Sequence, residues 1–169
     1  MKPTIPLFAV LMLLAGACRQ DAGREAAEPA PKTAEEYTLA IIKEVQKVIL
    51  STDQQLREYQ PQRLELPAGE GQEASVLQLW TEEGNPVRLT ATVAGERGQA
   101  RELSAFYFAN SELFFATQPG ARFIFIGTEL KYWLDEDWKP QPAPEQARKE
   151  REQELLEQAE RYLRLFEMQ

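Results

Sequence analysis

Six short apolar runs, separated by turns too small to hold a helix, constrain this chain more than any other feature. They fall at residues 75–82, 86–93, 101–108, 112–117, 122–126 and 130–134. Between them stand Gly84-Asn85, residues 95–99, Asn110-Ser111, Pro119-Gly120 and Gly127-Thr128. These are residues that accept positive φ or supply local hydrogen bonds. A parallel pairing needs a crossover of roughly a dozen residues or more, and none of these gaps provides one. The runs therefore predict an antiparallel β-meander of about six strands.

Helical periodicity brackets the meander. Thr33 stands three residues before Glu36, the spacing of a capping box, in which each side chain satisfies the other's backbone N–H. Ile41, Val45, Val48, Ile49 and Leu56 then form one apolar stripe, fading near Gln60-Pro61. Residues 61–73, with Pro61, Gly69 and Gly71, are expected to be a loop. A second, charged helix is predicted over 144–166, after the proline-rich run 140–144. Its seam is Leu156, Ala159, Leu163 and Phe166, with Leu155 and Tyr162 beside it. Glu157–Arg161 and Glu160–Arg164 are spaced for i,i+4 ion pairs. The fold class is α+β: an antiparallel meander flanked by an N-terminal and a C-terminal helix, in one domain over 33–168.

The later strands show what such a domain must cover. In 86–93 the apolar residues Val87, Leu89, Ala91 and Val93 alternate with Arg88, Thr90 and Thr92. By contrast Phe106-Tyr107-Phe108, Leu113-Phe114-Phe115 and Phe123-Ile124-Phe125-Ile126 are apolar at every position. Strand side chains alternate faces, so both faces of this region need cover. Residue parity, with assumed hairpin registers, places Phe106, Phe108, Phe114, Ile124 and Ile126 on one side, the candidate binding surface. It places Leu103, Tyr107, Leu113, Phe115, Phe123 and Phe125 on the other. Helices on one face only would leave the opposite face as an interface, most simply with a second copy. Helices on opposite faces would leave a monomer whose binding site lies elsewhere. Residues 106–115 and 123–132 also share the pattern Phe-x-Phe-x-Asn/Gly-Ser/Thr-Glu-Leu-x-aromatic, read as a duplicated hairpin.

Composition removes whole classes of chemistry. The 169 residues include no His and one Cys, with 27 Asp+Glu against 19 Lys+Arg and a net charge of −8. Without His there is no Ser-His or Cys-His nucleophile pair and no imidazole metal site. One Cys makes neither an intramolecular disulfide nor a thiolate cluster. The acidic balance argues against nucleic acid as a partner. Asp135-Glu136-Asp137 is the densest acid cluster, but Trp138, Lys139 and prolines follow directly, where a calcium loop needs about 12 residues with spaced oxygen ligands. A solvated turn is expected there. No catalytic residue, metal site or cofactor is assigned.

The N-terminus carries an address. Lys2 precedes a ten-residue apolar run at 5–14 (IPLFAVLMLL), half the length of roughly 20 residues that a membrane-spanning helix needs. Small residues follow and lead into Cys18, so residues 1–17 are expected to be a signal peptide. Leu14-Ala15-Gly16-Ala17-Cys18 resembles the lipobox of bacterial lipoproteins, with Ala15 where the usual pattern has Leu. The resemblance implies that Cys18 is acylated, becomes the new N-terminus and holds the protein to a membrane. Ala15-Gly16-Ala17 also fits the A-x-A site of ordinary signal peptidase, which would leave a secreted protein with a free thiol. Arg19, where an inner-membrane lipoprotein of enterobacterial type has Asp, implies the outer membrane. Residues 19–33 carry no apolar side chain larger than Ala or Pro and are expected to be a flexible tether, so that 18–32 links anchor to domain.

The functional expectation is an exported, membrane-anchored lipoprotein of the bacterial cell envelope, binding or scaffolding without catalysis. Its partners would be the membrane, through the lipid on Cys18, and a protein or second copy. The alternatives are a carrier or sensor of a small apolar ligand and a carboxylate-dependent hydrolase of envelope polysaccharide.

Overall fold

The computed structural model describes residues 33–68, 74–94 and 100–168. The signal-peptide, Cys18 and tether readings therefore lie outside the described residues. The chain runs α1 (Ala34–Leu56), β1 (Gln62–Leu66), β2 (Ser75–Glu82), β3 (Asn85–Ala94), β4 (Ala100–Ala109), β5 (Glu112–Gln118), β6 (Ala121–Ile126), β7 (Glu129–Leu134) and α2 (Glu145–Glu167). The strands form one sheet in sequence order, every neighbouring pair antiparallel. The α+β meander is as expected, with one strand more.

That extra strand corrects the expected loop after Pro61. Leu64 and Leu66 alternate with Arg63 and Glu65, but five residues between two prolines give too short a period to recognise. Pairing with β2 decides the matter, with Leu64 opposite Leu77 and Leu66 opposite Ser75.

The capping box at the start of α1 is complete. Thr33 Oγ1 accepts the Glu36 N–H at 3.1 Å, and Glu36 Oε2 accepts the Thr33 N–H at 3.1 Å. On α2 the Glu160–Arg164 pair forms, whereas Arg161 lies over the Tyr162 ring and Glu157 accepts from Gln153.

Three hairpins follow one plan, where the sequence pattern marked two. Positive φ at Glu83 and Gly84, at Asn110 and Ser111, and at Gly127 turns the chain between β2 and β3, β4 and β5, and β6 and β7. Beyond each turn one residue is bulged out: Val87, Phe114 and Lys131. The registers then realign as Trp80 with Arg88, Tyr107 with Phe115, and Ile124 with Tyr132.

These bulges overturn the expected face parity, because an extra residue moves everything beyond it to the other side. Leu79, Leu89, Phe106, Phe108, Leu113, Ala116, Phe123, Phe125 and Leu130 form one core with Leu155 and Ala159 of α2. On the opposite face Ala105, Tyr107, Phe115, Ile124 and Leu134 pack with Ile42 of α1, joined by Ile41, Val45, Ile49, Phe114, Tyr132 and Trp138. The two helices thus lie on opposite faces of the sheet.

Candidate functional site

The residues expected to form one binding surface are divided. Phe106 and Phe108 sit under α2, and Phe114 and Ile124 sit under α1. Ile126, at the end of β6, is 49% exposed and is the only one of the five facing water. From the second set, Leu113, Phe123 and Phe125 join Phe106, while Tyr107 and Phe115 lie opposite. Leu103 is the extra residue of a bulge against β3.

A different constellation stands out on the α1 face. Cross-strand pairing aligns Trp80, Arg88, Tyr107, Phe115, Ile124 and Tyr132 in one row across six strands. Arg88 occupies the position that Phe115 and Tyr132 hold in the other two hairpins. Its guanidinium carbon lies 5.3 Å from the Trp80 ring centroid and 5.2 Å from that of Tyr107. A guanidinium stacks on ring faces while its N–H groups still reach acceptors at the edge, which suits Arg to this slot.

The charge is answered from two elements. Arg88 Nη1 is 3.5 Å from Asp53 on α1, and Nη2 is 3.5 Å from Glu102 on β4. The Tyr107 hydroxyl donates to Asp53 Oδ1 and Oδ2 at 3.0 and 3.2 Å. Burial pushes the Tyr107 phenol well above its ordinary range; neighbouring Arg88 opposes this, and Asp53 adds to it. Among the described residues, Arg88 Nε and Thr90 Oγ1 are enclosed with no hydrogen-bond partner. Chemically the cluster is a clamp: Asp53 binds both a phenol and a guanidinium of the sheet, and so fastens the C-terminal half of α1.

The other face carries a counterpart. Arg151 of α2 lies over Phe123 and Trp133, at 5.9 and 5.5 Å from their centroids. It donates to Gln118 Oε1 at 3.1 Å and pairs with Glu154 at 3.1 Å.

The acid cluster at Asp135 is a turn, held by its own backbone. Asp135 Oδ1 accepts the N–H groups of Asp137 and Lys139, each at 2.9 Å, and Oδ2 accepts Gln141 Nε2 at 2.9 Å. This turn sets Trp138 flat against Phe115, with centroids 5.2 Å apart and planes 7° apart. Among the described residues no group of three or more Cys, Asp or Glu side chains is placed to hold a metal ion.

Among the described residues, the surface carries two shallow grooves. One of about 130 Å³ is lined by Lys131, Tyr132, Trp133, Gln141 and Arg148. The other, about 190 Å³, lies between Leu56 at the end of α1, Tyr59 just after it, and Thr81, Glu82 and Val87 of the β2–β3 hairpin. No described helix is long and apolar enough to cross a membrane.

Arg88, Asp53 and the Tyr107 hydroxyl are not among the residues singled out by the sequence pattern. The signal was available: sliding the hairpin pattern back by 27 residues, from Tyr107 to Trp80, sets Arg88 in an aromatic slot. The fold defines an α+β domain with a seven-stranded antiparallel meander between two helices. No family model matches the chain, and no curated protein or solved structure is significantly similar to it.

Proposed function

We propose that this chain is an exported lipoprotein, held to a bacterial membrane through acylated Cys18, and that its domain binds another envelope component without catalysis. The observation that carries the reading is the position of the only Cys, directly after Leu14-Ala15-Gly16-Ala17 at the end of a signal-like segment. An unpaired thiol in an exported protein is otherwise open to oxidation, whereas several acyl chains on one residue hold it to a bilayer. The geometry of the domain supports a binding role that does not use the sheet faces. Both are filled from within, so a partner would meet the outer sides of the helices and the sheet edges. Leu39 and Leu50, eleven residues apart on one flank of α1, are 49% and 59% exposed. Tyr37 and Val48 are exposed on another flank. Arg19 supports the outer membrane as destination.

Fractionation tests the anchor. Wild-type protein should partition with membranes and carry a diacylglycerol mass on its N-terminal peptide, and Cys18→Ser should move it to the soluble fraction. A Ser variant that stays with the membrane, together with a wild type lacking acyl mass, overturns the reading.

A further inference from the structure

The sheet has two edges, and the molecule treats them differently. At β7 the chain folds back on itself: Leu134 bridges to Pro140, and the Gln141 N–H donates to the Trp133 carbonyl at 2.8 Å. At β1, among the described residues, nothing pairs with the outer side. An uncovered edge presents unpaired N–H and C=O groups that can template another strand, unless charged side chains, Pro, a bulge or very short length blunts it. The register of β1 with β2 is unbroken, and β1 contains neither Lys nor Pro.

Side-chain order on this edge complements itself. The strand reads Gln62-Arg63-Leu64-Glu65-Leu66. Two copies meeting edge to edge in antiparallel sense are related by a two-fold axis normal to the sheet, so some residue must face its own copy. With the axis at Leu64, Arg63 faces Glu65 of the second copy and Glu65 faces its Arg63. Arg63 and Glu65 already pair within one strand at 3.1 Å, and both side chains are more than half exposed. The dimer would turn this pair into a square of alternating charge on one face of the sheet, with the two Leu64 side chains meeting on the other face. Moving the axis by one residue sets Arg63 against Arg63, or Glu65 against Glu65. Pro61 and Pro67 bound the strand on either side and cannot donate to a ladder. One register is therefore selected by charge and by length.

We infer that the outer edge of β1 pairs with the same edge of a second copy, antiparallel about Leu64, making a continuous fourteen-stranded sheet. This contact departs from the monomer expected for helices on opposite faces, because it uses the edge of the sheet and leaves both faces as they are. Five residues a side make a small and reversible interface, so the decisive measurement traps it. Opposed residues in either kind of antiparallel pair have Cα atoms roughly 4.5–5.5 Å apart, within disulfide range.

Leu64→Cys in the whole chain, mildly oxidised in detergent, should give a dimer linked through position 64, located by peptide mass mapping. Gln62→Cys, which would face Leu66, should not. Opposed charges in a strand pair attract and like charges repel, so Arg63→Glu or Glu65→Arg added to Leu64→Cys should lower the yield about tenfold. The double swap should restore it, and so should mixing the two single-swap proteins, whose edges are then all acidic and all basic. Circular dichroism of each variant checks that the domain is folded. Absence of the position-64 dimer, a yield indifferent to the charge swaps, or an adduct with a different protein would each overturn the inference.

Discussion

The two faces of the sheet are covered by helices of equal length, 23 residues each, yet they are held by different means. Under α2 lies a continuous apolar floor from Leu79 to Leu130, with Leu155 inaccessible to water and Tyr162 edge-on to Phe106 at 6.3 Å. Under α1 the floor is apolar only toward β5–β7, where Phe115, Ile124 and Leu134 lie. Toward β2–β4 it gives way to Arg88, Thr90 and the Asp53–Tyr107 contact. Apolar burial stabilises without regard to direction, whereas an ion pair taken from water roughly balances its own desolvation. The α2 face is therefore the main source of cohesion. The α1 face contributes less, but it fixes where the helix lies.

The largest effect should come from truncating each helix anchor in turn. Leu155→Ala should cost about 3–4 kcal/mol of unfolding free energy and Ile42→Ala about 2–3 kcal/mol, since the Leu155 site is the more enclosed. Urea denaturation measures both. A larger loss at Ile42 than at Leu155 would break the comparison.

A smaller effect is expected at Arg88, and its form is informative. Arg88→Ala removes packing from two rings as well as a charge, and should cost about 2 kcal/mol. Arg88→Met keeps the volume in a slot filled by Phe115 and Tyr132 elsewhere, and should stay within about 1 kcal/mol of wild type. If Met and Ala are equally damaging, the clamp stabilises through charge rather than through packing.

The smallest effect is Tyr107→Phe, about 1.5 kcal/mol at neutral pH, the low end for a hydrogen bond to a charged group because the Asp53 carboxylate is partly exposed. Its dependence on pH sharpens the comparison. Tyr107 has a raised folded-state pKa, so its stabilising contribution is complete below the unfolded value of about 10. As pH rises beyond that, the unfolded chain releases a proton that the folded one retains, and stability falls. The wild type should therefore lose its advantage over Tyr107→Phe above about pH 10, as followed by denaturation at stepped pH. Parallel curves would show that the phenol is not enclosed.

Legibility in the sequence followed the range of the interaction. The six longer strands, both helices and the capping box were readable because each is a local signal. Turn residues such as Asn110-Ser111 punctuate the chain wherever they stand, and Thr33 meets Glu36 within one turn. Strand β1 was not readable, since two alternations of Leu are too few until β2 offers them a partner. The stripe on α1 is legible in outline, but Ile42, the helix's most buried residue before Leu56, lies outside it, and Val48 within it stands 41% exposed. The angle at which a helix crosses a sheet is not written in its period. The five residues read as one surface are divided for a related reason: one bulged residue, Phe114, moves its neighbours to the opposite face.

The sequence by itself determined the antiparallel meander, the flanking helices and the demand for cover on both sides of the aromatic strands. Short turns forbid crossovers, and strings of Phe and Ile cannot remain in water. Tertiary structure decided which side each helix took, which residues share a face, and that Arg88 meets Asp53 across 35 residues of chain. Those outcomes depend on register, and register is settled by bulges and by pairs far apart in sequence. The same distinction separates the two edges. Pro140 and Gln141 close β7 only because the Asp135 turn carries them back, while β1 keeps an edge whose charges complement its own copy.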